Sequence, residues 1–240
     1  MIKFLQISDE DPALAYSPMV RAIEKTFAYI VEQGSIGLTP LKGFNRSFVT
    51  WAVAEFNWPN YSLDDLYPVN NILNEMDFLP VMYIHNLLIE LKIGRDYKGK
   101  FNLTAEGEAL LGHPGKLFGV IAPFFLFNIR HGTLARDQKW IDGNFEVFLN
   151  LLTFESESGV TGAEVGNMIF GSPELVEDYE TIMRQLYIEV LRPLCWIGFL
   201  EEHQPKNSCA PTERVFTQTP LWNAAIHLST DYAMRTARRH

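Results

Sequence analysis

The sequence is poor in cysteine and in long apolar runs, and each shortage excludes a class of protein. Two cysteines in 240 residues are too few for a disulfide framework, which favours a reducing compartment. The longest apolar run, 117–129, has 13 residues, whereas a membrane-spanning helix needs about 20. No secretory signal is visible, because the short apolar start is followed by an acidic triplet at 9–11. We therefore expect a cytoplasmic protein that does not contact a membrane.

Positive charge is scarce as well. The chain has 20 lysines and arginines against 29 aspartates and glutamates, for a net charge of −9 and a pI near 5.2. Such a chain does not attract phosphate as a whole, so nucleic-acid binding would need a local basic patch. Apolar residues make up 47% and aromatic residues 13%, which is enough to form a large core and excludes a disordered protein.

Motifs of known chemistry are absent from the sequence. It contains no HExxH or CxxC pattern, no nucleophile elbow, no P-loop and no dinucleotide-binding glycine pattern, and its histidines are scattered. We therefore expect a non-enzymatic protein with no catalytic residue, metal or cofactor. An enzyme whose site is assembled from distant loops is the alternative that this absence leaves open.

The most informative segment is 87–111, which reads as a helix end, a short hairpin and a new helix. Residues 98–100 supply the turn, since their central glycine tolerates a positive φ. Residues 101–103 alternate apolar and polar side chains, as in a half-buried strand. Thr104 then caps the next helix. This order predicts a winged-helix-like module, in which a helix packs against a small antiparallel hairpin.

The other predicted helices and strands fit this order of elements twice, once in each half of the chain. Apolar spacing predicts helices at 19–33, at 39–56 with a cap at Thr39, and at 79–91 in the first half. In the second half it predicts helices at 145–154, 161–170 and 179–191, strands at 196–201 and 214–217, and a last helix capped by Thr219.

These elements predict the fold class and the domains. The fold is mostly α with small β-hairpins (α+β), arranged as tandem winged-helix-like modules. The first domain, 1–129, ends in an apolar connecting helix, and the second, 130–240, carries acidic helices. The apolar stretch 117–129 exceeds what one helix stripe needs, which favours self-association.

Positive charge concentrates around the first hairpin. The candidate nucleic-acid-binding residues are Lys92, Arg95, Lys98 and Lys100 there, with Lys42 and Arg46 as further cations. In winged-helix proteins such side chains on the wing often contact phosphates. The alternative is that they only keep an exposed hairpin soluble.

The preceding helix and the second half argue against base reading. Residues 79–92 offer base edges only Asn86 and a terminal lysine. Between Ile141 and Glu189 ten acidic residues stand against one cation, Arg184, a surface that would repel DNA. The leading hypothesis is therefore a binding protein that contacts a protein partner or itself. A DNA-binding regulator that uses the basic hairpin is the alternative.

Two segments also carry a family resemblance, through caps and turns. The first lies in 36–49, at Leu38, Thr39, Gly43, Asn45, Arg46 and Val49. The second lies in 87–111, at Arg95, Gly99, Leu103, Thr104, Gly107 and Leu110. They resemble the helical region of the plasmid pRiA-type open-reading-frame family, over about a third of the chain. Phe44 precedes Asn45 where that pattern has Gly-Asn directly. The resemblance implies a helix–hairpin–helix arrangement and brings no established activity.

Overall fold

The computed structural model describes residues 2–61, 66, 73–132, 145–205 and 210–228. The chain forms two compact units. The first unit consists of residues 8–122, and the second combines residues 1–7 with 123–240. The sequence prediction divides the chain at 129 instead and leaves 1–7 with the first half. Residues 1–7 group with the second unit because strand β1 (Ile2–Phe4) pairs with β8 (Ile226–Leu228).

The first unit alternates helices with very short strands. Its elements are α1 (Pro18–Gln33), β2 (Ile36–Gly37), α2 (Arg46–Phe56), α3 (Leu79–Glu90), β3 (Gly94–Tyr97), β4 (Lys100–Leu103), α4 (Ala105–Glu108) and α5 (Pro114–Phe127), which runs on into the second unit. Short 3-10 segments lie at Pro12–Tyr16 and Glu75–Asp77. Ser17 caps α1 by accepting from the Val20 amide, and Gly34 ends it at φ 78°.

The second unit follows with its own helices and strands. They are α6 (Phe145–Glu155), β5 (Val160–Thr161), α7 (Gly162–Phe170), α8 (Tyr179–Leu186), α9 (Arg192–Ile197), β6 (Leu200–His203), β7 (Val215–Gln218), α10 (Pro220–Ala225) and β8. One π-helical stretch, Tyr187–Leu191, joins α8 to α9. The molecule is thus α+β, mostly helical with small antiparallel sheets, as the sequence predicts.

Each unit contains a three-stranded sheet, and the two sheets share one register. The strand order is β2-β4-β3 in the first unit and β5-β7-β6 in the second. Ile36 pairs with Phe101 as Val160 pairs with Phe216, and all four side chains are buried. The hairpins also match, because Gly94 pairs with Leu103 where Leu200 pairs with Gln218.

The two hairpins differ in the connection between their strands. Two residues, Lys98 and Gly99, join β3 to β4, whereas 204–214 separate β6 from β7. Both hairpins are closed by the threonine that follows the last strand. The Thr104 hydroxyl donates to Lys92 O at 2.6 Å, and the Thr219 hydroxyl donates to Gly198 O at 2.6 Å. The predicted equivalence of these two capping threonines is therefore confirmed.

Two sequence-predicted boundaries are wrong. The second helix begins at Arg46 with Asn45 as its cap, and not at Thr39. The Thr39 amide donates to Gly43 O at 2.8 Å, which holds 39–43 in a tight loop outside the helix. The strand predicted at 196–201 begins only at Leu200. Helix α9 continues to Ile197 because Gly198, at φ 96°, supplies the left-handed stop.

The apolar run near the middle of the chain is α5, and its apolar side chains are largely buried. Those below 5% exposure are Leu117, Phe118, Ile121, Ala122, Phe125 and Leu126. Val120 and Phe127 remain exposed. Core packing therefore accounts for most of the run that the sequence linked to self-association. Across the part of the chain that the structure describes, no helix has the length and apolarity to cross a bilayer.

Candidate interaction surface at the turn end of the first sheet

One end of the first sheet brings together two segments that are distant in sequence. Gly37, the last residue of β2, pairs with Lys100 at the start of β4. The Leu38 amide donates to Gly99 O at 2.9 Å, and the Asn45 amide donates to Gly37 O at 2.9 Å. The loop between β2 and α2 therefore lies beside the β3–β4 turn, and α2 begins at the same end. We call this region the turn end.

The turn itself has the geometry of a tight hairpin. Lys98 and Gly99 have φ values of 49° and 73°. Two successive positive φ values belong to a primed turn, whose twist matches that of the strands it joins. The hairpin predicted for 93–103 is thus confirmed, with strands at 94–97 and 100–103. The side chains beside the turn are exposed.

The structure gathers four of the six predicted cations at the turn end. Lys42, at φ 65° in the β2–α2 loop, Arg46 at the start of α2, and Lys98 and Lys100 at the turn all belong to it. All four are exposed. The Arg46 Nε donates to Asn74 Oδ1 at 3.0 Å, which fixes that guanidinium against the 3-10 segment 75–77.

The other two predicted cations lie elsewhere. Arg95 is exposed in the middle of β3 and pairs with Asn102. Lys92 precedes β3 at the opposite end of the hairpin, with φ 58°. A strand advances about 3.3 Å per residue, so the backbone of Lys92 stands roughly 20 Å from that of Lys98. Lys92 does not belong to the same patch.

Exposed apolar side chains lie at the turn end and in the neighbouring 3-10 segment, which Asn74 joins to Arg46. Leu41 in the β2–α2 loop is 94% exposed, Met76 in the 3-10 segment 71%, and Tyr97 at the end of β3 57%. The Lys98 ammonium lies 5.0 Å from the centre of the Tyr97 ring. Together with Lys42, Arg46, Lys98 and Lys100, these three residues form what we call the turn-end surface. It combines exposed apolar groups with positive charge.

A polar cluster built around one buried histidine lies next to this surface. His85 of α3 is only 7% exposed, and its Nδ1 lies 2.6 Å from Glu75 Oε1. Its Nε2 faces Asp96 Oδ1 of β3 at 3.6 Å, beyond hydrogen-bonding distance. The ring stacks on Phe44 with centroids 4.0 Å apart and meets Phe101 edge-on. We call Glu75, His85 and Asp96 the His85 cluster.

The His85 cluster connects the segments that make the turn-end surface. Glu75 precedes Met76, Asp96 precedes Tyr97, and Phe44 ends the loop that carries Leu41 and Lys42. The Glu75 carboxylate also approaches Gly43 so closely that a Cβ at that position would lie 2.4 Å from Oε2. A side chain at position 43 would therefore displace the Glu75 carboxylate from this place. The cluster therefore holds the loop, the 3-10 segment and the hairpin against α3.

The helix before the hairpin is a packing helix, as the sequence predicts. Seven of its residues are buried: Pro80, Val81, Tyr83, Ile84, His85, Leu87 and Leu88. Asn86 and Glu90 are the exposed ones. An α-helix that reads DNA presents several polar side chains to base edges, and α3 presents one amide beside one carboxylate.

The second unit has a corresponding polar cluster with different members. Glu202 of β6 occupies the position of Asp96, since each faces the buried phenylalanine of the neighbouring strand. The Arg214 guanidinium donates to Glu202 and to the Tyr187 hydroxyl, and lies 4.5 Å above the Tyr187 ring. Burial raises the pKa of Tyr187, so its hydroxyl stays protonated and donates to Glu202 Oε2 at 3.1 Å.

No arrangement for metal chemistry occurs in the described ranges. Groups of three or more histidine, cysteine, aspartate or glutamate side chains that could hold an ion are absent from them. Cys209, which the sequence places near His203, lies outside the described residues. Sequence reasoning missed the His85 cluster, because its members lie at 75, 85 and 96 in three different elements. The one available signal was a histidine inside an otherwise apolar helix.

Most of the chain is similar to known proteins. A model described as the Y4jL N-terminal domain covers residues 15–116, and one described as the y4jL C-terminal domain covers 135–220. The uncharacterised protein y4jL of Sinorhizobium fredii is 31% identical over 185 residues, 75% of this chain and 82% of its own length. No solved structure matches the chain.

These matches bear on the family resemblance noted in the sequence. The expectation of an uncharacterised family is confirmed in that general form. The matched models are not described as the plasmid pRiA-type group, so that finer resemblance stays a prediction. The two models divide the chain into an N-terminal and a C-terminal part and together span well over half of it. The chain therefore belongs to the Y4jL family.

Proposed function

We propose that this protein is a non-enzymatic interaction protein built from two winged-helix-like units, and that its turn-end surface binds an acidic, apolar segment of a partner protein. The observation that carries the proposal is the exposure of Leu41, Met76 and Tyr97 beside four cations. Exposed apolar side chains that gather in one region of a protein are a common mark of an interaction site.

The winged-helix-like description rests on element order. In each unit a helix and a short strand are followed by further helices, two in the first unit and three in the second, and then by a hairpin, whose second strand pairs with the short strand. The same order in two units supports an internal duplication. Fold alone does not decide function, so the partner is argued from the surface.

Charge and polarity favour a protein partner over DNA. Phosphate contacts need cations and polar donors, and gain nothing from a Leu41 side chain that is 94% exposed. A peptide with leucine or aromatic residues would cover Leu41 and Met76, while its carboxylates would meet Lys98 and Lys100. Aromatic, methionine and arginine side chains, all present here, are enriched at protein interfaces.

A peptide selection tests this proposal even though the partner is unidentified. The intact chain is immobilised and offered a random 12-residue phage library, and enriched peptides are measured by fluorescence anisotropy. We expect acidic, apolar peptides whose affinity falls at least tenfold in Leu41→Ser/Met76→Ser. Val31→Ser is the matched control, because Val31 is exposed on α1 of the same unit. Enrichment that survives Leu41→Ser/Met76→Ser, or no enrichment, would contradict the proposal.

Self-association is the second form that a protein contact can take. Light scattering on the intact chain over a hundredfold concentration range decides between the two. If the chain is a monomer at all concentrations, the partner is a different protein. A dimer that Leu41→Ser/Met76→Ser dissociates would identify a second copy as the occupant of the turn-end surface.

DNA binding is the alternative function, favoured by the presence of Lys42, Arg46, Lys98 and Lys100 at one end of a sheet. It predicts micromolar binding of a mixed duplex with a steep salt dependence. Lys98→Glu/Lys100→Glu should then abolish binding, whereas Lys3→Glu/Lys116→Glu, which changes the net charge equally at exposed sites, should not. Loss with both double variants would indicate only a net-charge effect.

A further inference from the structure

The His85 ring lies between two carboxylates. Among the described residues, the carboxylates within 4 Å of it belong to Glu75 in the 3-10 segment and Asp96 in β3. The loop before α2 contributes Phe44, and β4 contributes Phe101, both uncharged. On its own helix, Glu90 is the one charged residue, and it is exposed five positions away.

The charge of this ring decides whether Asp96 gains a hydrogen bond. In the neutral ring, Nδ1–H donates to Glu75, and the Nε2 lone pair then points at a second acceptor, Asp96 Oδ1. Two acceptors that face each other repel, in keeping with the 3.6 Å separation. Protonation places a hydrogen on Nε2, so that the ring donates to both carboxylates at once.

The second unit has a permanent cation at the equivalent carboxylate. Glu202 binds the Arg214 guanidinium, and arginine does not lose its charge in the physiological range. In the register shared by the two sheets, Arg214 corresponds to Gly99. Gly99 precedes Lys100, which pairs with the end of β2, and Arg214 precedes Val215, which pairs with the end of β5. Glycine has no side chain to hold Asp96, so the first unit depends on His85 for this contact.

We propose that His85 is a proton-dependent latch that fixes the turn-end surface. When the ring is charged, it binds Asp96 and Glu75 together and ties β3 and the 3-10 segment to α3. When the ring is neutral, the Asp96 contact is lost, and the hairpin bearing Tyr97 and Lys98 is held less firmly. Histidine is the side chain whose charge ordinarily changes between pH 5 and 8. The consequence for binding rests on the proposed function; the latch itself does not.

Hydrogen exchange on the intact chain, without any partner, tests the latch. Exchange rates of the hydrogen-bonded amides of β3 and β4 are measured at pH 8.0 and 5.5 and corrected for intrinsic chemistry. We expect roughly tenfold stronger protection at pH 5.5, the effect of one charge-assisted hydrogen bond. His85→Phe keeps the ring stacked on Phe44 without a titrating group, and should remove the pH dependence. Asp96→Asn should remove most of it as well.

Each outcome of this experiment supports or overturns the latch. A pH dependence at β3–β4 that equals the one at β6–β7 in the native chain, or an excess at β3–β4 that persists in His85→Phe, would overturn it. The corresponding amides of β6 and β7 are the internal control, because Arg214 holds Glu202 at both pH values. If peptide selection fails while the β3–β4 exchange still depends on His85, the latch stands and the proposed function falls.

Discussion

Single threonines close both hairpins of this protein, and their contacts repeat almost atom for atom. Thr104 donates to Lys92 O and accepts from the Gly107 amide, while Thr219 donates to Gly198 O and accepts from the Leu221 amide. Each hydroxyl thus joins the end of one helix to the start of the next. Sequence reasoning could identify these residues because a cap after a strand is a local pattern.

Replacing these hydroxyls should cost stability in proportion to burial. Thr219→Val removes two hydrogen bonds from a buried site and should lower the free energy of unfolding by about 2 kcal/mol, against about 1 kcal/mol for Thr104→Val. Urea denaturation measures both. Thr50→Val, at an exposed position of α2, is the control and should change little. A smaller loss at Thr219 than at Thr104 would contradict the role given to burial.

Two helical glycines should respond oppositely to alanine. A Cβ on Gly107 would lie 2.2 Å from Ile93 O, a backbone atom that cannot move cheaply, whereas a Cβ on Gly119 meets nothing within 4 Å. Gly107→Ala should therefore destabilise the first unit by about 2 kcal/mol. Gly119→Ala should stabilise the chain by about 0.5 to 1 kcal/mol through helix propensity. Thermal denaturation of both variants checks the signs, and a stabilising Gly107→Ala would refute the contact.

At the scale of elements, local patterns predict most helices and both hairpins. They miss the two-residue strands β2 and β5, since two residues carry no periodicity, and they miss β1 and β8, which pair across nearly the whole chain. They assign the loop 39–43 to a helix because Thr39-Pro40 imitates a cap. Its true conformation depends on contacts with Gly99 and Glu75, which the sequence does not reveal.

The candidate surface is predictable only in part. Its lysines and arginine form a visible cluster of charge in the sequence, and the structure separates Lys92 from them by the length of a strand. The exposure of Leu41 and Met76 is not predictable, because both lie in segments whose apolar residues would ordinarily be expected in a core. The His85 cluster depends wholly on tertiary placement.

The β3–β4 turn offers a prediction at this scale. Lys98 adopts φ 49° and Gly99 φ 73°, and asparagine at the first position tolerates that conformation better than lysine. Lys98→Asn should raise the free energy of unfolding by about 0.5 kcal/mol, and Gly99→Ala should lower it by about 1 kcal/mol. Chemical denaturation measures both. A destabilising Lys98→Asn would mean that its Tyr97 contact outweighs the turn geometry.

At the scale of the whole molecule, acid should destabilise the fold through a different histidine. Burial lowers the pKa of His131 to about 4, with a smaller opposing effect from the Phe125 carbonyl, which lies 2.7 Å from Nε2. Between about pH 6.5 and 4 the unfolded chain binds a proton that the folded chain does not. Stability is therefore complete above pH 6.5 and falls as the pH drops through this window.

The expected loss between pH 6.5 and 4 is about 3 kcal/mol, measured by urea denaturation across that range. His131→Gln keeps a donor for Phe125 O without a titrating group and should show a shallower fall. Parallel curves for the two proteins would exclude His131 as the source. This global effect opposes the local latch at His85, since acid weakens the whole fold while strengthening the hairpin. The protection of the β3–β4 amides relative to the β6–β7 amides separates the two effects.

The pairing of β1 with β8 also sets the order in which the two units can fold while the chain is being synthesised. About 220 residues of synthesis separate the two strands, roughly 10 to 45 seconds at ordinary elongation rates. During that interval residues 8–122 can collapse into their own unit, while the partner strand of Ile2–Phe4 does not yet exist. A chaperone that recognises short extended apolar peptides would have its longest opportunity there.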